Sequence, residues 1–222
     1  MKQWRFVSNQ NSMISGINDA GIETFTADMN RSLVREIIQN SLDAVREDND
    51  EPVRVEFEMI RIKREDIPDV NTLQSAIKKC YESNADEPDA FRFFSKADET
   101  LNQEYVNVLR ISDYNTKGLE GSDTCEKGSN WSRLVKENGS SNKGQSSGGS
   151  FGIGKSATFA CSDLRTVFYS SLDIQGLASN FGVARLVSFN DSDLGWTTGV
   201  GYYSEDDRFV AIPELISFSD TY

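Results

Sequence analysis

Three places in this chain set residue types at spacings that could do chemistry. The first is Glu36, Asn40 and Asp43, four and three residues apart. At about 100° per residue a helix gathers them within an arc of roughly 60°, two carboxylates and an amide on one stripe. A carboxylate so placed can orient a water, and an amide oxygen is a hard ligand suited to Mg2+. Most polar helical stripes are solvated faces, yet Asn40 is a poor mid-helix residue and its neighbour Ser41 is not the usual Lys or Glu filler. The second place is Asp113, which follows the apolar run Val106 to Ile111 and leads into Tyr114, Asn115, Thr116, Lys117 and Gly118. An ionised carboxylate there offers only acceptors. Taken alone, the segment reads equally as an Asp-Asn turn closing a strand. The third is Gly148-Gly149-Ser150-Phe151-Gly152-Ile153-Gly154-Lys155-Ser156. Its glycines let backbone amides approach an anion, and a helix starting there adds free N–H groups.

Each of these needs an element to position it. Leu33, Val34, Ile37, Ile38, Ala44 and Val45 recur at helical spacing and predict a helix over residues 30–47 with its apolar side opposite the Glu36 stripe. After the turn at Pro52, Val53 to Met59 alternates apolar and charged as a half-buried strand does, and the slip of phase at Met59-Ile60 predicts a bulge. Leu73, Ile77, Cys80 and Tyr81, then Phe91, Phe94 and Leu101, mark two short amphipathic helices, an insertion over about residues 70–102. Val106 to Ile111 is a strand. From Lys117 to Gly149 the chain is dominated by Gly, Ser and Asn, a composition that predicts a mobile loop without a core. A short helix from Lys155 through Phe159 and strands over residues 166–170, 183–189 and 199–203 complete an α/β chain, with helices on one face of a mixed, mostly antiparallel sheet.

Composition removes several functions. The chain contains no histidine, which excludes hydrolase triads with a His base, His-ligated metals and a phosphoacceptor histidine within it. A net charge of −12 opposes the broad basic face of a nucleic-acid binder. Residues 117–155 reverse that balance, with six basic and four acidic side chains, so an anion bound there meets locally positive charge. Three cysteines are too few and too scattered for a disulfide framework or zinc site. No apolar run approaches the ~20 residues of a membrane helix, and the start of the chain lacks the apolar core of a signal peptide, so a cytoplasmic protein without a membrane role is expected.

Residues 35–44, with Glu-x-x-x-Asn-Ser-x-Asp-Ala from Glu36 to Ala44, resemble the N-box of the GHKL ATPases, the superfamily of gyrase, the large heat-shock chaperones, histidine kinases and MutL. The leading glutamate is most similar to the MutL, heat-shock and MORC branch. Asp113 and the residues after it resemble that superfamily's Asp-x-Gly-x-Gly box, with Asn115 where the first glycine is expected and the second arriving one residue late at Gly118. The glycine-rich stretch ending at Ser156 is similar to the end of its ATP lid.

The resemblance implies one Bergerat-type domain over residues 1–222, a two-layer α/β sandwich with an ATP lid over about 117–152, as the amino-terminal part of a longer protein. It implies Glu36 as general base, Asn40 as Mg2+ ligand and Asp43 as a pocket residue. Asp113 would read adenine, with Asn115 and Gly118 shaping the turn beside it. Gly149, Gly152, Ile153, Gly154, Lys155 and Ser156 would lie at the phosphates, and Thr197-Thr198-Gly199 is the candidate for the threonine behind adenine. The implied activity is slow, Mg2+-dependent ATP hydrolysis that acts as a conformational and dimerisation switch. Its partners would be ATP and ADP, a second copy of the chain and a downstream effector, in bacterial defence against foreign DNA. Nucleic acid would be met only through regions outside this chain. A nucleotide-binding sensor with little hydrolysis is the alternative, and a kinase on the same fold is disfavoured by Glu36. Gly149 to Ser156 also satisfies Gly-x-x-x-x-Gly-Lys-Ser, the P-loop pattern, but no buried strand precedes it in the sequence.

Overall fold

The computed structural model describes residues 1–10, 12–48, 50–137 and 154–218. Every ladder among them is antiparallel, and the strands form two sheets. In the larger, β1 (Gln3–Ser8) lies beside β7 (Gly195–Ser204), then β5 (Ala178–Arg185), then β4 (Thr166–Leu172), and the short β6 (Asn190–Asp191) pairs with β7. The smaller is a hairpin of β2 (Arg54–Lys63) and β3 (Tyr105–Tyr114). The expected strands are present, although β5 covers residues 178–185 where 183–189 was expected, and β1 and β6 are additions that the sequence pattern does not announce.

The chain has the expected α/β class, but helices lie on both sides of β5 and not on one face alone. Phe181 and Val183 point to one side, where they pack with Ile22 of α1 (Ala20–Glu23), Trp131 and Val135 of α5 (Asn130–Val135), and Phe159 of α6 (Ser156–Ala160). Ala184 points to the other, into the largest apolar cluster. There Leu73, Ile77 and Cys80 of α3 (Val70–Ser83) and Phe94, Ala97 and Leu101 of α4 (Pro88–Leu101) are almost fully buried against Ile60 and Ile62 of β2. The predicted helical insertion is thus the cover of that sheet face. Gly182 lies between these layers because a Cβ there would meet Trp4, Phe168 and Tyr203 at less than 3.0 Å.

Two further expectations are corrected. The β2–β3 register runs unbroken from Arg54 opposite Tyr114 to Lys63 opposite Tyr105, so there is no bulge. The phase slip has another cause: Ile60 and Ile62 face the α3–α4 core, while Val55, Phe57 and Met59 lie on the opposite face of the same straight strand. Nor is the Gly- and Ser-rich segment without a core along its whole length. Trp131 and Val135 are buried, and Ser129 caps α5 by accepting from Ser132 N at 3.1 Å, so the stretch up to Glu137 is packed. One Trp carries enough apolar area to anchor a polar segment.

Candidate functional site

The first chemical stripe lies on α2 (Met29–Asp43), which starts at Asp28, whose carboxylate accepts from Arg31 N at 3.4 Å. The helix ends four residues before the sequence predicts. Lys117 N donates to Ala44 O at 2.8 Å and Val45 bridges Thr116, so the segment after β3 captures the chain leaving α2. Leu33 and Ser41 are buried and Ile37 is half-buried, which sets the ridge that α2 turns inward. Val34 and Ile38, expected in the core, are instead exposed, because they sit about one 100° step round from that ridge, and Val45, also exposed, lies beyond the end of the helix. Glu36 is half-buried, and Asn40 and Asp43 are exposed.

Asp113 is exposed near the end of β3, opposite Val55 and two residues from Ile111, hence on the same face of the hairpin as Ile111. The turn after it clarifies the irregular glycine spacing. Asn115 has φ +63°, the left-handed conformation that Asn tolerates best after Gly, and its Nδ2 donates to Pro52 O at 2.9 Å. Gly118 has φ +67°, and a Cβ there would meet Leu172 O at 2.6 Å. Asn115 therefore does the conformational work of a glycine. Leu119 N donates to Ser171 Oγ at 2.9 Å and Ile174 N to Lys117 O at 3.1 Å, so this turn is tied to α2 on one side and to the β4–β5 hairpin on the other.

Of the third motif, Gly149, Gly152 and Ile153 lie outside the described residues. Gly154 is buried just before α6. Lys155 Nζ donates to Arg133 O at 3.0 Å and to Glu137 O, at and just after the C-terminal end of α5. Burial, reinforced by the Arg185 guanidinium, pushes its ammonium down to about 8. Ser156 is buried and its Oγ accepts from Arg185 Nη1 at 3.1 Å. Arg185 also lies over the Phe159 ring, 4.5 Å from its centre. Sequence reasoning gave Arg185 no role, and an ordinary charged residue at a strand end carries no signal that would single it out. Thr197 is fully buried in β7, where Oγ1 accepts from the backbone N–H of Phe189 and of Gly199, each at 3.3 Å.

One small apolar cluster joins the elements that carry the first two motifs and the helix that follows the third. Phe25, Leu33 and Ala157 are its buried members, with Ile37, Ile111, Ala160 and Cys161 packed against them. Leu33 and Ile37 belong to the helix of Glu36, Asn40 and Asp43, Ile111 to the strand of Asp113, and Ala157 and Ala160 to the helix after Gly154. Among the described residues, no group of three or more Cys, Asp or Glu side chains gathers as a metal site. Two open depressions lie elsewhere, about 410 Å³ beside Glu82, Asp191 and Trp196 and about 340 Å³ beside Glu120, Ser129 and Arg133. No helix among the described residues is long and apolar enough to cross a membrane. Comparison with protein-family models, curated proteins and solved structures finds no match.

Proposed function

We propose that the chain binds ATP with Mg2+ and hydrolyses it slowly, as a GHKL-type switch that pairs with a second copy when ATP is bound. The observation that carries this reading is that α2, β3 and α6, the helix that follows the glycine-rich stretch, meet at the Leu33, Ile111 and Ala157 cluster although they are far apart in the sequence. Asp113 stands exposed on the hairpin face that α2 packs on, where its acceptors suit the exocyclic amine of adenine and oppose the carbonyl of guanine. Glu36, on the same helix as Asn40, is the residue to orient the attacking water. Bound Mg2+ would neutralise charge on the phosphates, held by the Asn40 amide oxygen together with phosphate oxygens. Asp43 completes that stripe, and Gly154 ends the backbone available to the phosphates within the described residues. Lys155 and Ser156 act through the packing of α5, α6 and β5.

The P-loop reading is disfavoured by the antiparallel ladders. A P-loop sits between a strand of a parallel sheet and its crossover helix, whereas α6 is followed by β4, which pairs antiparallel with β5.

Calorimetric titration with a non-hydrolysable ATP analogue tests the proposal. Binding should need Mg2+, exceed that of the GTP analogue at least tenfold, and fall with Asp113→Asn. Glu36→Ala should keep affinity within a few-fold while turnover falls at least a hundredfold, because a water-orienting carboxylate acts mainly on the transition state. No binding, or binding indifferent to Mg2+ and to the base, sinks the reading. Binding with no measurable turnover in the parent protein would favour the nucleotide-sensor alternative.

A further inference from the structure

Helix α2 has a second flank. Leu33, which packs on Ala157 of α6, lies on the Glu36 side of the inward ridge, so the opposite flank faces away from α6. That flank is Val34, Ile38 and Leu42, a stripe at four-residue spacing, and Leu42 is 59% exposed. The hairpin face beneath α2 is likewise only part covered. Ile111 is packed, but Phe57 directly opposite it and the cross-strand pair Met59 and Leu109 are exposed, Met59 by 65%. Large apolar side chains are thus exposed on one flank of α2 and on the strand face that α2 meets at Ile111, a feature that marks interaction sites on soluble proteins.

We propose that these two surfaces form one groove, walled by α2 and floored by β2 and β3, that binds an acidic amphipathic helix of a protein partner. Charge selects the occupant. Arg31 and Arg35 lie along the outer edge of the α2 stripe, both exposed and with no ion pair among the described residues, whereas on the same face of β2 beyond Met59 Arg61 lies over the Tyr105 ring and Lys63 pairs with Glu65 at 3.6 Å. This basic rim belongs to a chain of net charge −12, so it is a local feature with a local partner. A second copy fits poorly, because the same flank of its α2 carries Arg31 and Arg35 again and no acidic side chain to answer them. The span from Val34 to Leu42 is about 12 Å at 1.5 Å per residue, enough to seat two turns of a helix by its i, i+4 and i+7 apolar residues. The groove wall is the other flank of α2 from Glu36, Asn40 and Asp43, and its floor at Phe57, Met59 and Leu109 shares a hairpin face with Asp113 but does not include it, so the inference does not need the nucleotide reading.

The test uses fluorescence anisotropy of three synthetic 16-residue peptides on the 222-residue chain. One has Leu at i, i+4 and i+7 positions with Glu elsewhere, the second replaces every Glu by Lys, and the third scrambles the first. The acidic amphipathic peptide should bind at least tenfold more tightly than either control. Ile38→Glu, Met59→Ser and Arg35→Glu should each weaken it at least fivefold while the far-ultraviolet circular dichroism and melting temperature stay unchanged, since all three side chains are exposed. Three results each overturn the proposal: equal binding of acidic and basic peptides, no binding of any, or binding indifferent to all three substitutions. So does finding that the surface serves another occupant: a dimer abolished by Ile38→Glu, or attachment to phosphatidylserine vesicles that the same substitutions remove, with no selective peptide binding.

Discussion

At the residue scale, Lys155 separates what a motif suggests from what its side chain does. The P-loop pattern casts it as a phosphate clamp, yet its ammonium is half-buried against the carbonyls of Arg133 and Glu137, and desolvation pushes it down to about 8. A base whose folded pKa is depressed leaves the unfolded chain binding more protons between that value and the ordinary 10.5, so stability rises with pH across that window. The denaturation free energy of the parent relative to Lys155→Met should climb from about pH 8 to pH 10; a flat difference would show the ammonium to be well solvated. Gly118 gives a second test at this scale. With φ +67° and Leu172 O at 2.6 Å from a built Cβ, Gly118→Ala should cost more than about 1 kcal/mol in urea denaturation, whereas Gly176→Ala, with φ +81° but open space around it, should cost less.

At the element scale, α2 is held by few contacts for a helix that carries so many candidate groups. Its inward ridge buries Leu33 and Ser41 and part of Ile37, and its end is held by Lys117 N on Ala44 O. Leu33→Ala should therefore destabilise by about 2–5 kcal/mol and also loosen the alignment of Glu36, Asp113 and Gly154, since its cluster touches all three elements. Hydrogen exchange along residues 29–43 is the measurement, and the amides of α2 should lose more protection than those of α3. Equal losses in both helices would mean that the cluster has no special hold on α2. The α2 boundary was legible only in part. Its start at Met29 falls one residue before the expected residue 30, but its end at Asp43 comes with a bridge from Val45 to Thr116 that no local pattern contains.

At the scale of the whole molecule, β5 couples two cores. Val183 is buried in one and Ala184 in the other, so neither face can open without exposing the same strand. Phe94→Ala in the α3–α4 core and Phe181→Ala under α5 should each cost about 3–5 kcal/mol, and each should leave a single cooperative unfolding transition. Two separated calorimetric transitions in either variant would show that the cores are independent. The −12 charge acts at this scale too: it disfavours any close second copy at low salt, so ATP-dependent pairing, if the proposed switch operates, should strengthen as salt is added.

By itself the sequence determined the α/β class, the two amphipathic helices, most of the strands and the three polar or glycine-rich motifs, because those depend on periodicity and on turn chemistry local to each segment. It also showed that Asn115 and Gly118 stand near the glycine positions of the Asp113 box, but not that both turn left-handed, which the ties to Pro52 and Leu172 impose. Which apolar residues are inside was decided by tertiary structure. Val34 and Ile37 are equally apolar in the sequence, and only the position of Ile111 and Ala157 makes one of them a packing residue and leaves the other on the surface. The same holds for Lys155, whose partners are carbonyls brought to it by the fold of α5, and for Met59 and Ile60, neighbours on a straight strand with different layers on its two faces. Burial is a property of what arrives from elsewhere in the chain, and one segment's pattern records only which faces are available to receive it.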